Sequence, residues 1–340
     1  MASAPLSQTV VSDPRWLCHR YDAVNDAFRF RRVDRDRHRA VPFLTDSDLG
    51  EDPAPAIVAR AEATALAPPA APLHFIFHSA FCASTMLARA LDVEGSAMGM
   101  SEPVLLNDLV GWRRRGATPV QLGAVMANSL RLLARPWSEG EAVVIKPSNV
   151  FNGLAPGALG LSPTSKAILL TAPLPAFLAS VARKGLHCRL WVRELLEYLL
   201  QDGLVDLGFA PEDYFRQTDL QVAAVGWLAQ QAMFVRMLDR FGPPRLATLD
   251  SERLTTDPAA TVAAVARFLG LARSDLSDYA DHPALVRDSK FGGDFTPGQR
   301  QADRAAAEQA HGDEIAKVMA WAEAVAASAN VPLTLPNAFA

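Results

Sequence analysis

Cysteine is scarce in this chain: 340 residues hold three, Cys18, Cys82 and Cys188. They are odd in number, far apart and without metal-ligand spacing. A disulfide framework and a cysteine-based zinc site are therefore not expected, and a reducing compartment is. The start, MASAPLSQTVVSDPRW, has neither a basic segment nor an apolar core, so no signal peptide is expected. The most apolar long stretch, AILLTAPLPAFLASVA (167–182), is shorter than a bilayer span of roughly 20 residues and carries Pro173 and Pro175. Positive charge is not in excess either. The net charge is −4, which argues against non-specific nucleic-acid binding. These absences together predict a cytoplasmic protein with no membrane and no nucleic-acid partner.

What is present is an ordinary globular composition, half apolar and 21% charged, long enough for one large or two small domains. Residues 1–48 read as an N-terminal extension. Within it, AFRFRRVDRDRHRA interleaves Phe28, Phe30 and Val33 with six arginines between Arg29 and Arg39. That pattern suits a half-exposed strand, its arginines either solvated beside Asp34 and Asp36 or forming an anion-attracting rim. Residues 49–72 are rich in Ala and Pro and read mainly as a connector with room for a short helix. From residue 73 the pattern changes. Short, nearly continuous apolar runs (73–78, 96–100, 141–147, 166–172, 245–252) alternate with helical segments. Such runs predict an α/β fold: a mostly parallel sheet with helices on both faces, three layers in all, over about 73–330. Right-handed crossovers place the strand C-termini on one edge, where ligands bind in open α/β sheets.

The first of these strands leads into HFIFHSAFCASTMLARALD (74–92), a strand, a tight turn and a helix. This is the layout of a phosphate-binding loop, yet the turn has no glycine and no lysine follows it. Against the pattern GxxxxGK(S/T), His78 and Ala83 replace the glycines, Ser84 replaces the lysine, and only Thr85 fits. The layout still suits an anion. Ser79, Ala80 and Ala83 are small enough for close approach of the backbone, and Ser84 and Thr85 add hydroxyls to the free amides of a helix start. Cys82 sits in the same turn, where a helix start would lower its pKa. Without the lysine a triphosphate kinase is not expected. Other residues at the same edge carry charge or donors. His78 ends the first strand, Glu102 follows the second, and Lys146 with Ser148 and Asn149 follows the strand EAVVI.

Several segments resemble the sulfotransferases, a family with the P-loop-type fold. The loop HSAFCAST is similar to the family's phosphosulfate-binding loop. Ser101-Glu102-Pro103 is similar to a bacterial sulfotransferase region with an acidic residue after the second strand. TAPLPAFLASVARKG resembles the segment whose helix serine binds the nucleotide 3′-phosphate, and Ser180 matches that serine. LDSERLTTDPAATVAAVARFLGL resembles a late strand, loop and helix of the family. RDSKFGGDFTPGQR (287–300) resembles the loop that closes over the 3′-phosphate, with Arg287 and Lys290 as contacts. The resemblance covers about residues 73–295.

The resemblance implies transfer of a sulfuryl group from 3′-phosphoadenosine 5′-phosphosulfate (PAPS) to a hydroxyl or amine of a small-molecule acceptor, with no metal. It implies that Ser79, Ala80, Phe81, Cys82, Ala83, Ser84 and Thr85 cradle the phosphosulfate, and that Ser180, Arg183, Arg287 and Lys290 hold the 3′-phosphate. Lys146 would supply positive charge, and Glu102 or His78 would act as base. The chain departs from the pattern at three points. Phe81 stands where the family has a basic residue, Ala83 where it has a glycine, and Ala172 where it has the 3′-phosphate arginine. These departures keep a second reading open, a catalytically degenerate fold that binds an anion or nucleotide. The acceptor pocket would lie among the helical stretches 104–135 and 187–220.

Overall fold

The computed structural model describes residues 6–286 and 297–339. Its first sheet is antiparallel and lies in the N-terminal part: β1 (Trp16–Asp22), β2 (Ala27–Arg32) and β3 (Ala56–Ala59), in that order. The second sheet has five parallel strands: β4 (Leu73–His78), β5 (Ala97–Ser101), β6 (Ala142–Lys146), β7 (Ala167–Thr171) and β8 (Leu246–Asp250), in the order β5-β6-β4-β7-β8. This is the α/β architecture expected from the apolar runs. The strand beginning the series, β4, lies at the centre, and its C-terminal end is flanked by the ends of β6 and β7.

Both faces of the sheet are covered, because successive side chains point to opposite sides. Phe75, Phe77, Val143, Ile145 and Leu169 enter one hydrophobic cluster, whereas Ile76, Val144, Ile168 and Leu170 enter another. The first cluster also contains Phe28 and Phe30 of β2, so the N-terminal sheet packs into the same core as the parallel sheet. Arg135 fastens this contact: its buried guanidinium donates to the carbonyls of Val11 and Trp16, both at 2.6 Å. Helix boundaries follow local chemistry. Thr118 and Thr218 each close a capping box with the glutamine three residues on, and Asp257 caps a helix that opens with Pro258 and stops at Gly270, whose φ is +80°.

Three expectations change. Residues 49–72 are more than a connector, since they contribute β3, which pairs with β2, and the helix Arg60–Leu66. The arginine-rich segment is only in part a strand. β2 ends at Arg32, and Asp34 accepts from the Arg37 amide to start a short helix, Arg35–Ala40. The late loop 287–300 gives way at Pro297 to a long helix, Pro297–Ser328, because proline is tolerated at a helix start and the sequence after it is rich in alanine. No helix among the described residues is long and apolar enough to cross a membrane.

Candidate functional site

The loop after β4 has an unusual backbone. Ala80, Phe81 and Ala83 all have positive φ, at 72°, 50° and 59°. This left-handed region is costly for residues with a Cβ, about 1–2 kcal/mol each, and such conformations cluster at functional sites. Ala83 stands where the phosphate-loop pattern has glycine, and it adopts the conformation that glycine would make easy. The loop therefore has a conformation that suits glycine at a position occupied by alanine. Successive amides in such a turn form a concave nest suited to an anion. The helix Ser84–Ala90 begins directly after it.

Thr85 is 2% exposed, and its hydroxyl has no hydrogen-bond partner in the structure. A buried, unpaired hydroxyl costs about 1–3 kcal/mol and calls for an explanation. Asn149, just beyond β6, shows the same signature, because its buried Nδ2 also lacks a partner.

The neighbours of the loop are tied down. His78 Nδ1 accepts from the Ala80 amide at 3.1 Å, and His78 Nε2 donates to the Pro147 carbonyl at 3.1 Å. These two bonds require the neutral ring with its proton on Nε2. His78 thus holds the loop against the end of β6, with both ring nitrogens bonded to backbone groups. The Ser79 amide donates to Leu170 O at 3.1 Å, and Ser79 Oγ accepts from the Ala172 amide at 3.4 Å, so this side chain links the loop to the end of β7. The His78 carbonyl accepts from Asn152 Nδ2, which also donates to Gln230 Oε1. Cys82 is fully buried, and Ser84 is buried at the helix start.

Lys146 ends β6 and is 1% exposed. Its ammonium pairs with the Glu102 carboxylate and lies 5.0 Å from the centre of the Phe43 ring. Glu102 has a φ of 50°, and its amide donates to Lys146 O at 2.7 Å. Lys146 is accordingly one half of an ion pair at the strand ends. The parallel register that sets Ser101 beside Lys146 brings the two charges together.

Positive charge reaches the loop from elsewhere. Lys184 Nζ lies 4.2 Å above the centre of the Phe81 ring, which also touches Phe177 and Trp191 at 5.8 and 5.4 Å between centres. Phe81, in the family's basic position, therefore carries a lysine on its face through a cation–π contact. Lys184, Trp191, Asn152 and Gln230 were not among the expected site residues. Only Lys184 gave a sequence signal, as part of the basic end of the helix Leu174–Arg183.

The expected 3′-phosphate residues are arranged differently. Ser180 Oγ donates to the Ala176 carbonyl of its own helix at 2.9 Å, and Arg183 is exposed at the end of that helix. Ala172 is fully buried, its amide bound to Ser79 and its carbonyl accepting from Trp227 Nε1 at 2.9 Å. Arg287 and Lys290 lie outside the described residues. No group of three or more His, Cys, Asp or Glu side chains positioned to hold a metal occurs among the described residues.

Beside the site is a cavity of about 360 Å³, lined in part by Asn107, Arg114, Ser148, Trp191, Glu194 and Tyr198. It lies between the helices Val104–Arg114 and Gly185–Gln201, within the stretches expected to form an acceptor pocket. Arg114 pairs with buried Asp202 and stacks 4.3 Å from the Tyr198 ring centre, while the Tyr198 hydroxyl donates to Glu194 at 2.6 Å. The buried Oδ1 of Asn107 has no partner.

No protein-family profile matches the chain, and no curated protein does. Among solved structures it is similar to three sulfotransferases. The sulfotransferase domain from the curacin biosynthetic pathway is 15% identical, with 66% of this chain and 82% of that one covered and a TM-score of 0.39. The sulfotransferase domain from the Synechococcus PCC 7002 olefin synthase is 17% identical, with 71% and 87% covered and a TM-score of 0.39. A sulfotransferase from Alicyclobacillus acidocaldarius is 19% identical, with 75% and 96% covered and a TM-score of 0.38.

Proposed function

We propose that the loop after β4 binds the sulfate or phosphate group of a nucleotide such as PAPS, and that the protein transfers a sulfuryl group to a small hydroxyl or amine acceptor. The observation that carries this reading is the left-handed backbone of Ala80, Phe81 and Ala83 beside the unpaired, buried hydroxyl of Thr85. A loop that served only packing would gain by satisfying that hydroxyl and relaxing that backbone. The resemblance of HSAFCAST to a phosphosulfate-binding loop supports the same ligand.

The residues fit a sulfuryl or phosphoryl group at the loop. Amides of the turn and the hydroxyls of Ser84 and Thr85 donate to its oxygens, and Lys184 offsets their charge. An acceptor occupying the neighbouring cavity approaches between Ser148 and Trp191. Its oxygen or nitrogen forms the new bond to sulfur as the bond from sulfur to the phosphate oxygen breaks, and its proton passes to the Glu102 carboxylate, which Lys146 orients. Adenosine 3′,5′-bisphosphate leaves. The reaction needs no metal. The 3′-phosphate is less well served: Ser180 is bonded to its own helix and Ala172 is sealed in the core. These two features favour a second reading, an anion-binding protein that does not recognise the 3′-phosphate.

Calorimetric titration with adenosine 3′,5′-bisphosphate, inorganic sulfate and ATP with magnesium separates the two. Bisphosphate binding that weakens about tenfold or more in Thr85→Ala, the loss of one charge-assisted hydrogen bond, supports the transferase reading. An acceptor screen then tests Glu102→Gln, which should keep the nucleotide and lose turnover. Sulfate binding without the bisphosphate would leave the anion-binding reading, and a response to none of the three would end both.

A further inference from the structure

The N-terminal sheet carries a second concave site, away from the loop after β4. A cavity of about 550 Å³ is bounded by β1, β2 and the segment 50–55. The register of β1 on β2 shifts between Cys18 and Arg20, which makes His19 the extra residue of a β-bulge. Bulges re-aim side chains, and His19 lies 5% exposed on the cavity wall, its Nε2 bonded to Asp46 at 2.6 Å. With Asp46 accepting that proton, His19 Nδ1 is an acceptor, and it has no partner. Burial pushes the His19 pKa down, which keeps the ring neutral. Arg31, 7% exposed, gives its two terminal nitrogens to the carbonyls of Gly50 and Leu49 at 3.0 and 3.2 Å, and its Nε–H is left without an acceptor. Asp52 Oδ1 accepts from the Ala54 amide at 3.2 Å, while its buried Oδ2 has no donor.

The wall thus holds one orphan donor and two orphan acceptors. Its formal charges balance, with Arg20, Arg29 and Arg31 opposite Asp46, Glu51 and Asp52. A simple anion would meet three carboxylates and leave both acceptors unpaired. A bare cation would meet three guanidiniums. We propose that this cleft binds a small zwitterion of the free α-amino acid class, its carboxylate on Arg31 Nε and Arg29 and its ammonium on His19 Nδ1 and Asp52 Oδ2. Pro53 and Pro55 give one wall a fixed backbone, which limits the ordering that binding requires.

The test is a thermal-shift screen of the full chain against the twenty amino acids, with acetate, methylamine and phosphate as controls, followed by calorimetry on any hit. At least one amino acid should raise the melting temperature saturably while acetate and methylamine at the same concentration do not. Asp52→Asn and Arg29→Gln should each weaken that ligand about tenfold, which is about 1.4 kcal/mol, without moving any response to adenosine 3′,5′-bisphosphate. These two variants carry the decision because Arg31 also holds two backbone carbonyls, so its replacement disturbs folding. Silence across the amino acids would overturn the proposal, as would an equal response to acetate or phosphate. Affinity unchanged in both variants would place the ligand elsewhere and overturn it too.

Discussion

The ends of β4 and β7 are neighbours on the same sheet edge, and they are finished in opposite ways. After β4, one loop places three non-glycine residues in the left-handed region and leaves the Thr85 hydroxyl unpaired. After β7, both backbone groups of Ala172 are bonded, its methyl is in the core, and the following helix absorbs the Ser180 hydroxyl. The first end keeps a strained backbone and an unpaired hydroxyl. The second is closed like any other piece of core. In the family that the sequence resembles, these two ends hold the two ends of one nucleotide. The difference teaches that two neighbouring strand ends on one sheet edge can be finished independently, one by packing and one by a turn that leaves polar groups unpaired.

An arginine at position 172, which the resemblance would imply, would break the comparison most severely. Ala172→Arg places a guanidinium in a position with no room and no acceptor, and overpacking adds to the cost of a buried unpaired charge. The expected loss is about 3–5 kcal/mol, read from urea denaturation, with no gain in bisphosphate affinity. A variant of native stability that binds the bisphosphate more tightly would show that the β7 end can reopen.

The contrast also runs along β4, from its closed start to its ligand edge. His74, at the start, is buried and accepts from the Lys166 amide at 3.2 Å. Burial, and then the nearby Lys166 charge, push its pKa down to about 4. Burial does the same to His38 in the N-terminal part, again to about 4. As pH falls below about 6.5, the unfolded chain takes up these protons before the folded one does. The stabilisation from each histidine staying neutral is therefore present above pH 6.5 and lost progressively down to about pH 4. It amounts to about 3 kcal/mol per residue over that window. Denaturation of wild type and His74→Gln at pH 7 and pH 4.5 checks this: the variant should lose less stability between the two than the wild type. Equal losses would mean that His74 does not drive the acid sensitivity.

The sequence made the parallel sheet legible because β4, β6, β7 and β8 are mostly apolar runs, and a strand buried on both faces needs such a run. The loop was legible from spacing, since a strand followed by small residues and Ser84-Thr85 allows few other layouts. The N-terminal sheet was harder to read. Its third strand is only AIVA, half-exposed and set among prolines, and its stability comes from pairing with β2 rather than from local preference. The roles of His78 and Lys146 depended on partners far along the chain, at Pro147 and Glu102. A strand-end histidine reads the same whether it faces a substrate or a carbonyl. Lys184 was legible only as part of a basic helix end, and Trp191 not at all, because helix packing, not spacing, delivers them to Phe81.

The smallest expected effect is the most direct test of whether the open end is strained. Ala83 has a φ of 59° and lies only partly buried at the helix start. Ala83→Gly removes a left-handed penalty of about 1–2 kcal/mol but returns about 0.4–1 kcal/mol of freedom to the unfolded chain. The net expectation is a gain of about 0.5–1 kcal/mol in urea denaturation, with sulfate or bisphosphate affinity retained because the amides keep their places. A loss of stability would mean that the Ala83 methyl is held by packing and that the loop is not under tension. A gain in stability joined to weaker anion binding would be more instructive still. It would mean that the alanine, by restricting the turn, keeps the amides pointed at the ligand, so that the strain at Ala83 serves binding.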